Sequence, residues 1–206
     1  MKCDRAKGAG LEFFVSALVC ICVLLAARLH GWNHSEAAQL KGLQTCSEGW
    51  YVTGYYVPRE DELSGNAEQI EVERVGSLSF SDRFLTETRT EGWGITRFGW
   101  ALGYYSGGWH RSDAGPLDAA GHPLSDGAIA IDRTLIPPGA DVQMATLPLP
   151  WSTKVFRATE VGVGITGQHI DVFTGTGLVA EEETFRITSN NNHVCFATRA
   201  AAKPSP

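Results

Sequence analysis

The chain has 206 residues, of which 43% are hydrophobic and 10% aromatic, and its formal net charge is −6 at pH 7. This composition is typical of one globular domain with accessory segments. The acidic balance argues against nucleic acid and anionic lipid as partners, since both select basic surfaces. The 23 glycines, together with prolines near turns, favour short strands and tight connections over long helices.

The N-terminal segment has the pattern of a targeting sequence. Lys2, Arg5 and Lys7 precede the uncharged apolar run 13–27. As a helix this run would span about 22 Å, short of the ~30 Å hydrocarbon core. Residues 1–30 are therefore predicted to be a signal peptide, with a short uncleaved membrane anchor as the alternative. Both alternatives place the domain outside the cytoplasm, in the periplasm or cell envelope, and the anchor would be its only membrane contact.

Cysteine placement agrees with export. Outside the targeting segment the chain has only Cys46 and Cys195, one near each end of the domain. In an oxidising compartment such a pair predicts a disulfide, the alternative being two unpaired buried thiols.

The first predicted elements follow a polar spacer at 31–49. The run GWYVTGYYVPRE predicts a strand closed by Pro58. A hairpin is expected around Ile70–Val75, and a short helix over 79–90, capped by Ser79 or Ser81.

The segment 92–110 is rich in aromatic residues and glycine. Most such rings belong in a core. Their density beside glycines nevertheless suggests a surface that stacks sugars, and the candidates are Trp93, Trp100 and Trp109.

The rest of the domain reads as short strands separated by loops. The stretch 113–127 is expected to be an Asp-rich loop, without the His or Cys spacing of a metal site. The strands predicted after this loop cover 128–131, 141–147, 154–161, 169–174, 184–188 and 193–198. A helical turn is expected at 181–183 and a disordered tail at 199–206. This pattern predicts a small closed β-barrel.

Three acidic residues lie in or beside these apolar strands: Asp132, Glu160 and Asp171. An unpaired charge near a core is strongly disfavoured, so the three together suggest a site. Asp132 could instead cap a turn, and Glu160 could pair with Arg157 or Lys154. Asp171, in the middle of an apolar strand, is the hardest to explain structurally.

The motifs AIDRTLIPPG, ATEVGVGITGQHIDVFTGTG and TGYYVP resemble the signatures of the three-aspartate (3D) domain family, in particular its MltA-type lytic transglycosylases. The resemblance implies a six-stranded double-psi β-barrel, all-β with long loops. It also implies cleavage of peptidoglycan between N-acetylmuramic acid and N-acetylglucosamine, leaving a 1,6-anhydro end. By position, Asp171 matches the catalytic acid and Asp132 the first aspartate of the trio.

The sequence departs from the family pattern in several places. Glu160 stands where the family has aspartate, and Val163 and Thr166 replace glycine and lysine. The stretch between TGYYVP and AIDRT is also shorter than the second domain that MltA-type enzymes insert there. The chain is therefore expected to resemble compact, single-domain 3D proteins.

The chemistry that the resemblance implies needs one carboxyl group, which first protonates the glycosidic oxygen and then deprotonates the attacking C6 hydroxyl. Asp132 and Glu160 are expected to raise the pKa of Asp171, helped by its apolar neighbours. Gly162 and Gly164 would admit the glycan close to the backbone, and Tyr55 would help to bind it. No cofactor is expected.

Two other functions stay open at this point. A non-catalytic barrel with a degenerate site could bind cell-wall glycan. Alternatively, the barrel could act on β-glucans, since double-psi barrels also occur in some endoglucanases.

Overall fold

The architecture was obtained from a computed structural model, in which residues 44–162 and 164–197 are described. The expected signal or anchor segment, most of the spacer, Val163 and the tail lie outside these residues. Among the described residues no helix is long and apolar enough to cross a membrane.

Six strands form a closed barrel in the order β1-β10-β7-β9-β8-β11. They are β1 (Gln44–Val57), β7 (Ala128–Ile131), β8 (Asp141–Gln143), β9 (Phe156–Glu160), β10 (His169–Thr176) and β11 (Ser189–Ala197). Two pairs are parallel, β1 with β10 and β7 with β9, and the other barrel pairs are antiparallel. The closed six-stranded barrel confirms the barrel predicted from the sequence.

Five further strands form a second sheet, inserted between β1 and β7, in the order β3-β2-β6-β5-β4. They are β2 (Ala67–Val72), β3 (Gly76–Ser81), β4 (Trp93–Ile95), β5 (Ala101–Tyr105) and β6 (Gly108–Ser112). The sequence predicted a hairpin in this stretch, and the structure shows a complete five-stranded sheet. The inserted stretch is short, but tight hairpins let it form a complete sheet with its own apolar cluster.

Two helices of ten residues each accompany the sheets, α1 (Asp82–Glu91) and α2 (Leu178–Ile187). Ser81 caps α1, because its hydroxyl accepts a hydrogen bond from the Phe84 amide. Ser81 was one of the two predicted capping residues. The prediction of a strand at 184–188 is wrong. Residues 184–187 belong to α2, and Thr184 and Ile187 lie on its buried face. Their β-branched side chains favour a strand locally, but packing against the barrel selects the helix.

The barrel interior is filled by alternate residues of each strand. Val52, Ile170, Val172, Ile129 and Ile131 belong to its apolar cluster. Because side chains alternate between the two faces of a strand, their sequence neighbours Thr53, Asp171 and Ala130 point outward. The strand 128–131 is buried on both faces, which indicates that something covers the outer surface of the barrel there.

The termini of the barrel are joined covalently. Cys46 lies directly opposite Cys195 on the antiparallel pair β1 and β11, and the two form a disulfide across a sequence separation of 149. β1 already begins at Gln44, so it includes residues that the sequence analysis placed in the spacer.

Candidate active site

The candidate site lies on the outer face of the barrel, along one row of residues. Thr53 pairs with Asp171, Asp171 with Ala130, and Ala130 with Glu160, across β1, β10, β7 and β9. Side chains in register on neighbouring strands point to the same face. Ala130, between the two acidic residues in this row, is small and buried.

Asp171 is partly buried at the centre of this row. The Thr53 hydroxyl donates to its Oδ1 over 2.7 Å, and the Thr53 Oγ1 lies 2.9 Å from His169 Nε2. Because the single Thr53 proton points to Asp171, the same oxygen is free to accept from the His169 ring. Burial raises the pKa of Asp171 above its ordinary value, while the hydrogen bond from Thr53 and the nearby His169 oppose the rise.

The sequence analysis expected like charges to raise the pKa of Asp171, but burial is the main cause. Asp132 follows β7 and accepts hydrogen bonds from the amide and hydroxyl of Thr134 and from the Gly167 amide. These bonds lower its pKa. Asp132 thereby holds the loop that precedes β10 and caps a turn, the alternative that the sequence left open.

Glu160 contacts the loop 113–127, and Arg133 is also near its carboxyl group. Its Oε2 accepts from the Ala119 amide over 3.1 Å. Burial, aided by the nearby Asp118, raises the pKa of Glu160 to about 7. Arg157 and Lys154, the pairing partners considered from the sequence, bind Asp141 and Asp126 instead.

Tyr55 lies near both carboxyl groups, since the charges of Glu160 and Asp171 act on its hydroxyl. Its hydroxyl is buried, and no described residue satisfies it; the same is true of Glu160 Oε1. Burial raises the pKa of Tyr55, and the charges of Glu160 and Asp171 add to the rise, so the hydroxyl remains a donor. Unsatisfied polar atoms of this kind are rare inside proteins.

The second sheet supplies the opposite side of the site. Tyr55 and Phe173 of the barrel pack in one apolar cluster with Trp93 and Ile95 of β4. The Ile95 amide donates to the Pro58 carbonyl over 2.8 Å, which fixes β4 to the end of β1. Trp93 is thus placed next to the site.

Trp100 and Trp109 are not available to bind sugars, which corrects the expectation from the sequence. Their exposed fractions are 9% and 8%, and both belong to the apolar cluster on the other face of the second sheet. Phe98 stacks on the Trp100 ring, while Arg89 lies over Trp109. Strand alternation decides this, because Trp93 is on one face of the sheet and the other two are on the opposite face.

Gly162 and Gly164 are exposed in the loop between β9 and β10. Gly164 has a φ of +96°, a conformation that residues with a side chain rarely adopt. Exposure leaves the backbone of this loop accessible to a ligand.

Two residues of the site were missed by the sequence analysis. Thr53 is part of the TGYYVP motif, but the partner that gives it a role, Asp171, is 118 positions away. Glu91, the last residue of α1, is partly buried and accepts from the Tyr56 amide over 3.3 Å. Burial raises its pKa to about 7, and the charge of Asp171 contributes, so Glu91 lies near the site.

One group of possible metal ligands occurs among the described residues, Cys46, His193 and Cys195. Both sulfur atoms are joined in the disulfide, which removes the thiolates that a metal would need. The residues of the candidate site are acidic and hydroxyl groups suited to proton transfer without a cofactor.

The chain is similar to known proteins in its barrel segment and in its fold. Residues 127–192 match the family model of the 3D domain. The barrel resembles that of MltA lytic transglycosylases. Residues 127–192 are therefore identified as a 3D domain, and the barrel resembles that of MltA in fold.

Individual solved structures are similar in fold. The Escherichia coli MltA with bound chitohexaose has a TM-score of 0.57 and 16% identity, over 74% of this chain and 73% of that one. The membrane-bound lytic murein transglycosylase from Agrobacterium tumefaciens has a TM-score of 0.52 and 15% identity, over 73% and 74%. MltA from Neisseria gonorrhoeae has a TM-score of 0.50 and 15% identity, over 74% and 75%. No curated protein sequence matches this one.

Proposed function

We propose that the protein is an exported lytic transglycosylase that cleaves peptidoglycan glycan strands between N-acetylmuramic acid and N-acetylglucosamine. The observation that carries the proposal is the position of Asp171. It is a partly buried carboxyl group with a raised pKa, on the outer face of a 3D-type barrel opposite a second sheet. A carboxyl group with a raised pKa keeps its proton to higher pH than an ordinary carboxyl group, as a general acid requires.

Asp171 acts twice in this mechanism. It first donates its proton to the glycosidic oxygen, and the bond from that oxygen to C1 breaks. As a carboxylate it then takes the proton of the C6 hydroxyl while the C6 oxygen bonds to C1, which gives the 1,6-anhydro product. The substrate supplies its own nucleophile, so a second catalytic carboxylate, as in hydrolases, is not required.

The neighbours of Asp171 have positioning roles. Thr53 holds the Asp171 carboxyl group. The Tyr55 hydroxyl and Glu160 Oε1 are buried and have no hydrogen-bond partner among the described residues. Asp132 orients the loop that carries Gly162 and Gly164, by its bond to the Gly167 amide. Trp93 offers an apolar surface to a sugar ring next to Tyr55.

Two further features of the protein fit this proposal. The parallel pairs β1–β10 and β7–β9 within the closed barrel support the double-psi topology. The disulfide supports an oxidising compartment outside the cytoplasm, because such bonds are rare in reducing compartments.

The test is incubation of the purified protein with peptidoglycan sacculi and mass spectrometry of the products. Wild type is expected to release 1,6-anhydromuropeptides, and Asp171→Asn to lower the rate at least about 10²-fold. Asp113→Asn, a change at an exposed aspartate paired with Arg111, is the matched control and is expected to leave the rate unchanged. Hydrolysed products without anhydro ends would contradict the mechanism.

Thr53 provides a second test through pH. Thr53→Val removes the hydrogen bond that lowers the pKa of Asp171, so this pKa is expected to rise. The alkaline limb of the activity profile then moves to higher pH, because Asp171 stays protonated longer. Thr53→Ser keeps the donor and should retain the wild-type profile. An unchanged profile in Thr53→Val would show that Asp171 is not the titrating acid.

A second function, glycan binding without cleavage, is favoured by one observation. Asp132 and Glu160 are engaged by neighbouring loops rather than by Asp171. Sedimentation of the protein with sacculi, without any released product, would establish this function instead.

A further inference from the structure

The second sheet presents an aromatic surface outward from the candidate site. On β4, β5 and β6, Trp93 is in register with Gly103, and Gly103 with His110. Tyr105, two positions along β5 from Gly103, points to the same face. We call the rings of Trp93, Tyr105 and His110 the aromatic platform.

The Trp93 ring lies flat against the second sheet because Gly103 has no side chain. A Cβ atom on Gly103 would come within 2.6 Å of the Trp93 ring, a separation that side chains do not tolerate. Glycine in the interior of a strand is unfavourable unless something approaches the backbone closely. Here the Trp93 ring makes this approach, and it lies against the sheet between the barrel and Tyr105.

Tyr105 is held in place although its exposed fraction is 48%. Its ring stacks on His110, with centroids 3.9 Å apart and planes inclined by 13°. The His110 ring is itself fixed on both sides, since Nδ1 lies 2.7 Å from Glu73 Oε2 and Nε2 lies 3.1 Å from the Tyr105 carbonyl oxygen. The half-exposed Tyr105 ring is thus held in place by His110, which stacks on one of its faces.

The platform is continuous with the site. The Trp93 ring lies 5.8 Å from the Tyr105 ring on one side and packs in the cluster that contains Tyr55 on the other. At a rise of about 3.3 Å per residue, Tyr105 lies roughly 7 Å further along β5 than Gly103, beyond Trp93. A chain of sugars that leaves Asp171 past Tyr55 would reach Trp93 first and Tyr105 next.

We propose that Tyr105, supported by His110, forms an outer subsite that stacks a β-linked N-acetylhexosamine residue of the glycan, one position beyond Trp93. Pyranose rings have an apolar C–H face, which a pre-ordered aromatic ring covers at low entropic cost. The subsite rests on the proposed function, because it binds the same glycan strand as Asp171. It assigns to Tyr105 the role that the buried Trp100 and Trp109 cannot have.

The second sheet supplies a matched control in Phe98. Its exposed fraction is 50%, close to that of Tyr105, and it also stacks on a neighbouring ring, Trp100, at 5.9 Å and 10°. Trp100, however, belongs to the apolar cluster on the face of the sheet away from Trp93. Tyr105 and Phe98 therefore differ mainly in the face of the second sheet on which they lie.

The experiment measures chitohexaose binding by calorimetry in the Asp171→Asn protein, which prevents turnover. Adding Tyr105→Ala is expected to weaken binding about 5- to 20-fold, in line with the worth of an aromatic contact. Tyr105→Phe and Phe98→Ala are expected to change it less than about 2-fold. Equal losses in Tyr105→Ala and Phe98→Ala, or no loss in Tyr105→Ala, would overturn the subsite.

NMR spectroscopy provides a second measurement, which needs no substitution at Tyr105. In aromatic NMR spectra, chitohexaose is expected to shift the ring signals of Tyr105 and His110 and to leave those of Phe98 in place. If the parent protein binds neither chitohexaose nor sacculi, the proposed function and the subsite are both wrong. If the parent protein binds chitohexaose and the Tyr105 signals stay fixed, only the subsite is wrong.

Discussion

Asp171 illustrates how a single residue acquires its properties from neighbours distant in sequence. Its carboxyl group is shielded by the packing of the barrel against the second sheet, and burial opposes ionisation. Thr53 moderates this effect by donating a hydrogen bond to the charged form. Burial is the larger influence, so the pKa of Asp171 stays above its ordinary value although Thr53 and the nearby His169 oppose the rise.

At the same scale, the burial of Glu91 predicts how the stability of the protein depends on pH. Burial raises its pKa to about 7, above the ordinary value of 4.5. The unfolded chain therefore ionises Glu91 more readily than the folded one, and folding is penalised increasingly as the pH rises from about 4.5 to 7. Below this window the penalty is absent, and above it the penalty is complete.

Glu91→Gln removes the penalty and retains an oxygen to accept from the Tyr56 amide. One pKa unit corresponds to about 1.4 kcal/mol. After allowance for solvent screening, we expect the variant to gain about 1–2 kcal/mol in free energy of unfolding at pH 8 relative to pH 4.5. Urea unfolding at both values measures this, with Glu182→Gln at an exposed position of α2 as the control. The same gain in both variants would contradict the role of burial.

At the scale of elements, the contact of α2 with β1 depends on a glycine. A Cβ atom on Gly54 would lie 2.7 Å from the Thr184 Cα atom and 3.1 Å from the Ile187 side chain. Since the nearest atom belongs to the helix backbone, rotation of a side chain cannot relieve the clash. The close approach lets α2 add Ile187 to the core of the barrel.

Gly54→Ala is therefore expected to lower the free energy of unfolding by about 1–3 kcal/mol, the usual cost of overpacking. Thermal or urea unfolding measures the change. Thr45→Ala, at an exposed position of the same strand, should change stability by less than about 0.5 kcal/mol. If Gly54→Ala were as stable as the control, α2 would not be packed as closely as the structure indicates.

At the scale of the molecule, the disulfide joins the two ends of the barrel. It closes a loop with a sequence separation of 149 between Cys46 and Cys195. Long loops restrict the unfolded chain strongly in the chain-entropy account. The barrel needs this link where β1 and β11, its first and last strands, meet.

The double variant Cys46→Ser/Cys195→Ser is expected to lose about 2–5 kcal/mol of unfolding free energy. Urea unfolding of the oxidised wild type against the variant measures the loss, and wild type under reducing conditions should match the variant. A wild type whose stability is unaffected by reductant would show that the bond does not form in solution.

The sequence by itself determined the barrel and the position of its acids. Short runs rich in apolar residues specify strands such as 128–131 and 169–176 locally, and the motif around Asp171 carries the resemblance to the 3D domain. Cys46 and Cys195 could be paired from the sequence because no other cysteines remain in the domain. These features depend on residues near one another in the chain or on simple counting.

Only the tertiary structure decided which residues meet at the site. Thr53, Tyr55 and Glu91 reach Asp171 through strand register and sheet packing, which join positions far apart in the chain. The same holds for the tryptophans, because the face of the second sheet buries Trp100 and Trp109 and leaves Trp93 beside the barrel. Sequence pattern shows that a ring or a carboxyl group is present, but burial and hydrogen bonding, which set its chemistry, arise from contacts that form only when the chain folds.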